Sequence, residues 1–287
     1  MEQFKVLIDE MKIRGFSRKT IDSYLYINQR FLDFAKKSPR EVTKKDIGEY
    51  LVRLYDQNKA SATRHLIVCA LKFYYEELLK RRFQLKYPKV HNKLPIVLSK
   101  EDILKMIQVT NNLKHKLLLE LLYGSGLRVG EGVKIRIEDI DIKNKLCFIR
   151  NGKGGKDRIV RLSDMFIVDF SIYLQQLNNK HTNNTNTNNT NINNTNNNYL
   201  FESQQKKEMH ISIRTAQKIV EQSLAKANIT KNAHPHTLRT SFATHLVQNK
   251  VDISYVQKIL GHSRLETTQR YIRLNTADLI KIKSPLD

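Results

Sequence analysis

The chain has 287 residues and carries 50 Lys+Arg against 28 Asp+Glu, a formal net charge of +22. That length supports two modest domains, each with its own core, and that charge calls for a polyanionic partner, nucleic acid first. Two cysteines, Cys69 and Cys147, are too few for a disulfide framework, and no apolar run approaches the ~20 residues of a membrane span. With no signal peptide at its start, the expectation is a cytoplasmic, nucleoid-associated protein without membrane contact. The basic excess is spread along the chain. Residues 1–95 hold 21 basic and 11 acidic residues (+10), and residues 96–287 hold 29 and 17 (+12).

In chain order, Phe4, Leu7, Ile8 and Met11 follow the i, i+3, i+4, i+7 spacing of one buried helix face. Gly15 breaks that helix, and Ser17 caps a second one carrying Ile21, Tyr24, Phe31 and Phe34, which Pro39 closes. Thr43 with Asp46 reads as a capping box leading into Ile47, Tyr50, Leu51 and Leu54. Ser61 opens a fourth helix with Leu66, Ala70, Phe73, Tyr74 and Leu78. The aromatic residues read as core. Arg64 and Lys72 either line a DNA groove or sit in water, and the sequence does not choose.

Residues 1–86 thus form a small all-α domain. Residues 87–98, with Pro88 and Pro95 among polar and basic neighbours, read as a linker. The second domain spans 99–287. Ser99 caps its first helix, and Leu117–Tyr123 is a strongly apolar one. Leu146–Arg150 and Arg158–Leu162 read as strands around a Gly-rich hairpin turn, residues 151–157. Residues 178–198 are almost entirely Asn and Thr, too poor in apolar surface to offset ordering entropy, and read as a disordered loop. Structure resumes at Tyr199-Leu-Phe201, with helices at Ile213–Ala227, Leu238–Gln248, Ile253–Leu260 and Thr268–Tyr271, then a segment around Leu279 and Ile280. The fold class is mainly α with a small β-sheet.

Each candidate site residue has an ordinary reading on its own. Tyr271 could be a helix-surface tyrosine, and a His-x-x-Arg pair such as His236 and Arg239 is common by chance. The run Gly152-Lys-Gly-Gly-Lys156 lacks the Walker spacing and sits in a hairpin, not before a helix, which excludes a nucleotide phosphate loop. Together and in order, the motifs are specific. Leu121-Leu-Tyr-Gly-Ser-Gly-Leu-Arg128-Val-Gly-Glu131 resembles the first motif box of the tyrosine recombinase and phage integrase family. Lys153 matches the family's β-turn lysine. His236-Thr-Leu-Arg239-Thr-Ser-Phe-Ala-Thr-His245 resembles the second box, and Leu260-Gly-His262 through Tyr271 its end. The all-α first domain resembles the family's core-binding domain, in the style of the compact Xer-type recombinases.

The resemblance implies a clamp of two domains around double-stranded DNA, with a mixed α/β catalytic domain. It implies Tyr271 as nucleophile, forming a covalent phosphotyrosine. Arg128 and Arg239 would hold the non-bridging oxygens with forked donors, aided by His236 and His262. Lys153 is implied as general acid, with Lys156 competing for that role, and Glu131 as a brace for Arg128. Lys156 and Arg158 are further candidates for DNA contact, beside Arg64 and Lys72. No metal and no other cofactor is implied, nor ATP. The implied assembly is a homotetramer on two DNA sites joined through the C-terminal segment, with a DNA translocase as an activating partner. Its tasks would be dimer resolution of a chromosome or plasmid, or mobile-element integration. Two alternatives stay open: type IB topoisomerase-like nicking and resealing, and a catalytically silent DNA-binding protein. Thr240, Arg161, Gly130 and Gly132 depart from the family pattern. The two glycines would weaken a helix by roughly 1 kcal/mol each relative to Ala, just where Arg128 is anchored.

Overall fold

The structure is a computed structural model and describes residues 4–89, 95–150, 152, 157–182, 199–205 and 209–261. Contacts divide the chain into two compact units, residues 1–93 and 94–287.

The first unit holds four helices: α1 (Lys5–Ile13), α2 (Arg18–Ala35), α3 (Lys44–Asp56) and α4 (Ser61–Leu71). Local side-chain chemistry starts two of them. Ser17 accepts the Thr20 amide at α2, and Thr43 and Asp46 form the expected capping box at α3. Gly15, at φ 70°, ends α1. Lys36 closes α2 in the left-handed region, with Pro39 shortly beyond. Phe4, Leu7, Met11, Ile21, Phe31, Ile47 and Leu71 are buried together.

The fourth helix does not run straight to Leu78. From Lys72 to Leu78 the chain winds as a π-helix, so the Leu79 amide donates to the Tyr74 carbonyl at 3.0 Å. That wider turn buries Phe73, Tyr74 and Tyr75 in succession, which an α-helix of 100° per residue would not do on one face. Leu66 stays largely exposed on the outer side. Phe83 and Leu85 return to the same core, and Glu76 accepts the Leu85 amide at 2.7 Å.

The second unit is built around α6 (Leu113–Gly124), whose residues Leu117 to Leu122 are all buried. A helix apolar on every side must be wrapped, and here α5 (Lys100–Gln108), α8 (Asp164–Thr182), α9 (Ile213–Lys226) and α10 (Pro235–Gln248) pack against or beside it. Ser99 and Asp102 make a capping box for α5. A three-stranded antiparallel sheet, β1 (Ile140–Asp141), β2 (Leu146–Ile149) and β3 (Arg158–Arg161), pairs Cys147 with Val160 on its buried face and Phe148 with Ile159 on its open one. The cysteines are both free. Among the described residues, no helix is long and apolar enough to cross a membrane.

Several elements differ from expectation. The helix α8 extends through residues 178–182, the start of the Asn/Thr tract, because adding a residue to an existing helix costs little. The rest of that tract, 183–198, lies outside the described residues. The helix α10 begins three residues before Leu238, at Pro235. Proline's fixed φ suits a first helical position, and Thr237 accepts the His234 amide at 3.1 Å. The glycines of the Arg128 box do not sit in a long helix, since α7 is a single turn, Val129–Gly132. Gly132 is needed there for close approach, because a Cβ would stand 3.0 Å from a methyl of Leu122 on α6.

One buried group in α6 is not apolar. Glu120 is 3% exposed, beside Asp169 of α8, which is ion-paired with Lys116 at 2.6 Å. As two carboxylates the acids offer no donor between them, and neither Glu120 oxygen has a hydrogen-bond partner among the described residues. Burial first, then Asp169, pushes the Glu120 carboxyl up to about 8 against the pull of Lys116. A proton on Glu120 supplies the missing donor.

Candidate active site

Five of the expected site residues fall in the second unit and are described: Arg128, Glu131, Arg158, His236 and Arg239. Lys153, Lys156, His262 and Tyr271 lie outside the described residues, as do the expected helix at 268–271 and the segment at Leu279 and Ile280.

Arg128 sits in the turn between α6 and α7. That turn needs glycine at 126 on two counts. Its φ is +60°, and a Cβ there would stand 2.3 Å from the Phe242 ring. The turn is then tied down by Glu131, which accepts the Arg128 amide at 2.9 Å and Nη1 of the same residue at 2.9 Å. The expected brace is therefore present, but it is shared. Arg158 of β3 donates Nη1 and Nη2 to the two Glu131 oxygens at 3.0 and 2.7 Å. Burial alone would raise the Glu131 pKa, but Arg158, the Arg128 amide and the Arg128 side chain hold it down at about 2.

His236 and Arg239 occupy the first turns of α10, three residues apart and so on neighbouring positions of one face. Arg239 is 1% exposed, with Nη1 donating to the Gly126 carbonyl at 2.8 Å and Nη2 to the Leu260 carbonyl at 2.6 Å. His236 is open to solvent on one side. Its pKa is nevertheless lowered, first by the protein packed around it and then by the charges of Arg239, His234 and Arg128. The imidazole is therefore neutral near pH 7, with one nitrogen able to accept a proton.

All these elements converge on the end of α11 (Ile253–Leu260), whose last turn leaves carbonyls without helical partners. Arg158 Nε donates to the carbonyl of Ile259 at 3.1 Å, Arg239 to that of Leu260, and Arg128 Nη2 to that of Gly261 at 3.3 Å. Three guanidinium groups thus cap three successive carbonyls at the negative end of a helix. The next residue is His262. Gly261 itself lies at φ 61°, the left-handed region that lets the chain leave the helix sharply.

The candidates for DNA contact fare differently. Arg158 faces inward, its side chain 11% exposed, because Glu131 and the α11 end claim its donors. Lys72 donates to the Leu85 carbonyl at 3.1 Å, pairs with Glu76 at 3.2 Å and lies over Tyr87, so its ammonium serves the first unit's own packing. Arg64 stacks over Tyr55, 4.8 Å from the ring centre, and donates to the Lys59 carbonyl. Thr240 is buried, and the Arg161 carbonyl accepts from Ser125 at 2.8 Å. Neither departure removes a site group. A link the sequence did not reveal joins α6 to α10: the Tyr123 hydroxyl lies 2.9 Å from Nδ1 of His245.

Known proteins match the chain along most of its length. The profile described as Phage integrase family matches residues 97–278, and that described as Phage integrase, N-terminal SAM-like domain matches residues 4–85. The chain is similar to tyrosine recombinase XerA of Pyrococcus horikoshii, 33% identical over 97% of this chain and 90% of that protein. It is also similar to the crystal structure of XerA recombinase (TM-score 0.55, 28% identity, 98% and 97% of the two chains). The crystal structure of XerH site-specific recombinase bound to palindromic difH substrate, a post-cleavage complex, shares its fold. There the TM-score is 0.74 at 23% identity, over 93% of this chain and 80% of that one. The chain belongs to the phage integrase family, as a tyrosine recombinase of Xer type that acts as a site-specific DNA strand transferase.

Proposed function

We propose that the enzyme cleaves and rejoins DNA through a covalent 3′-phosphotyrosine on Tyr271. The observation that carries this reading is that Arg128 and Arg239 both bond to the end of α11, one residue before His262, with His236 near enough for their charges to lower its pKa. The Tyr271 oxygen attacks phosphorus and the bond to the 5′-oxygen breaks. Lys153 gives the departing oxygen its proton, with Lys156 as the competing donor. The phenol, with an ordinary pKa near ~10, loses its proton to a neutral imidazole, His236 or His262. Arg128 and Arg239 neutralise the charge that builds on the non-bridging oxygens, the kind of preorganised electrostatics that usually contributes most to catalysis.

Attack by a 5′-hydroxyl on the phosphotyrosine reverses the step and joins strands. The bond energy is conserved, so the scheme calls on neither ATP nor a metal ion. Exchange between two duplexes needs four active sites, which favours a homotetramer on two DNA sites. The tasks that fit are dimer resolution on a chromosome or plasmid and element integration, with a DNA translocase as an activating partner.

The test is to incubate the protein with nicked fragments of its own genome, denature the mixture, and sequence DNA that stays attached. Adducts that vanish in Tyr271→Phe establish the nucleophile and reveal the target. Adducts that persist in Tyr271→Phe refute the assignment. Relaxation of supercoils with no joining of separate duplexes would favour topoisomerase-like resealing.

A further inference from the structure

Arg158 lies at the start of β3, five residues after Lys153 and two after Lys156 in the sequence. All three nitrogens of its guanidinium face inward. Two grip Glu131 in a fork and the third holds the Ile259 carbonyl. A forked, largely buried arginine–carboxylate pair fixes distance and orientation together, which a lysine's single ammonium does not. Glu131 passes that constraint to Arg128 through its amide and Nη1, while Ile259 passes it to the last turn of α11.

We propose that Arg158 is a positioning residue for strand cleavage, setting the Arg128 turn, the start of β3 and the end of α11 in one frame without touching the DNA backbone. It rests on the reading that Arg128, Lys153 and His262 act at the phosphate. Two of the three pieces it joins are distant in sequence, at 131 and 259, so no local preference holds them in register. The open side of Gly261 supports the same view. A Cβ there would meet the Arg158 side chain at 3.4 Å, so the α11 exit is packed directly on this arginine.

Two measurements test the proposal, on the full-length protein. The first is the salt dependence of binding to non-specific duplex DNA, which requires no knowledge of the target. A phosphate contact contributes about one to the slope of log K against log salt. Arg158→Gln is expected to leave that slope unchanged, and a fall of about one would overturn the proposal.

The second is single-turnover cleavage of a nicked duplex bearing the captured site, in Arg158→Gln, Glu131→Gln and the double variant. Misplacement on the order of 1 Å costs roughly 100-fold, so each single change is expected to slow cleavage about 10- to 100-fold. The double variant should be no slower than the slower single, because both break one linkage. Multiplying effects, or an Arg158→Gln rate equal to the parent's, would overturn it.

Arg158→Lys keeps the charge and loses the fork. It should cleave as slowly as Arg158→Gln, and it carries the same comparison should the glutamine variant not fold. Arg128→Ala serves as the control for the underlying reading. If it cleaves like the parent, the site assignment fails. If it is inactive while the Arg158 and Glu131 effects multiply, only the positioning role fails.

Discussion

Replacing Glu120 with glutamine should change the pH dependence of stability in a way the buried acid pair dictates. The folded protein keeps a proton on Glu120 up to about pH 8, whereas the unfolded chain releases it near the ordinary 4.5. Between those values the native state holds more protons than the unfolded one, so stability falls as pH rises, and the loss is complete above the folded pKa. The span corresponds to roughly 5 kcal/mol at about 1.4 kcal/mol per pKa unit. Glu120→Gln keeps the shape and supplies a permanent donor towards Asp169, but it cannot ionise. Its stability relative to the parent should therefore be flat below pH ~4.5 and climb by several kcal/mol towards pH 9. Urea unfolding followed by far-ultraviolet circular dichroism at pH 5, 7 and 9 reads this directly. A difference that stays constant across that range would show that Glu120 is already ionised in the folded protein, and the account of the α6–α8 contact would be wrong.

The same linkage gives the opposite sign at Glu131, whose folded pKa of about 2 lies below the ordinary 4.5. Its contribution, on the order of 3 kcal/mol, should be present above pH ~4.5 and lost as pH falls towards 2, and Glu131→Gln should remove that acid dependence. Gly126→Ala should destabilise by several kcal/mol, from overpacking and a left-handed φ together, and pairing it with Phe242→Ala should recover part of the loss in a melting experiment. Tyr123→Phe should cost about 1 kcal/mol through its bond to His245, measured by chemical denaturation. Burial first, then the charges of Arg239, His234 and Arg128, lowers the His236 pKa, so if His236 rather than His262 takes the phenol proton, the acid limb of single-turnover cleavage should lie below the ~6.5 of a free imidazole and vanish in His236→Gln.

How much of this was legible in the sequence depended on how local the physics was. Caps at Ser17, Thr43 with Asp46, and Ser99 are local, so the sequence alone located them, although the part Asp102 plays beside Ser99 came only with the structure. The helix α8, which is not among the expected elements, still carries a local signal in Phe166, Phe170, Tyr173 and Leu174 on one face. The π-helical turn at 72–78 was not legible in the same way, because tertiary burial of Phe73 to Tyr75 sets it, whereas Pro235 is a local mark for the start of α10.

The candidate site divides along the same line. Ordered motifs made Arg128, His236 and Arg239 recognisable, but nothing in their spacing says which carbonyls they hold. Arg158 shows why. In sequence it is a basic residue beside a basic turn, indistinguishable from a surface phosphate contact, and only Glu131 and Ile259, 27 and 101 residues away, turn it inward. A guanidinium has five donors in a fixed fork, so one arginine can cap a helix-end carbonyl and still offer hydrogens to a phosphate. That surplus lets Arg128 and Arg239 be fastened to the α11 end and remain chemically competent, whereas Arg158 has both Nη atoms closed in one fork on Glu131 and its Nε on Ile259, so the role proposed for it runs through those two residues.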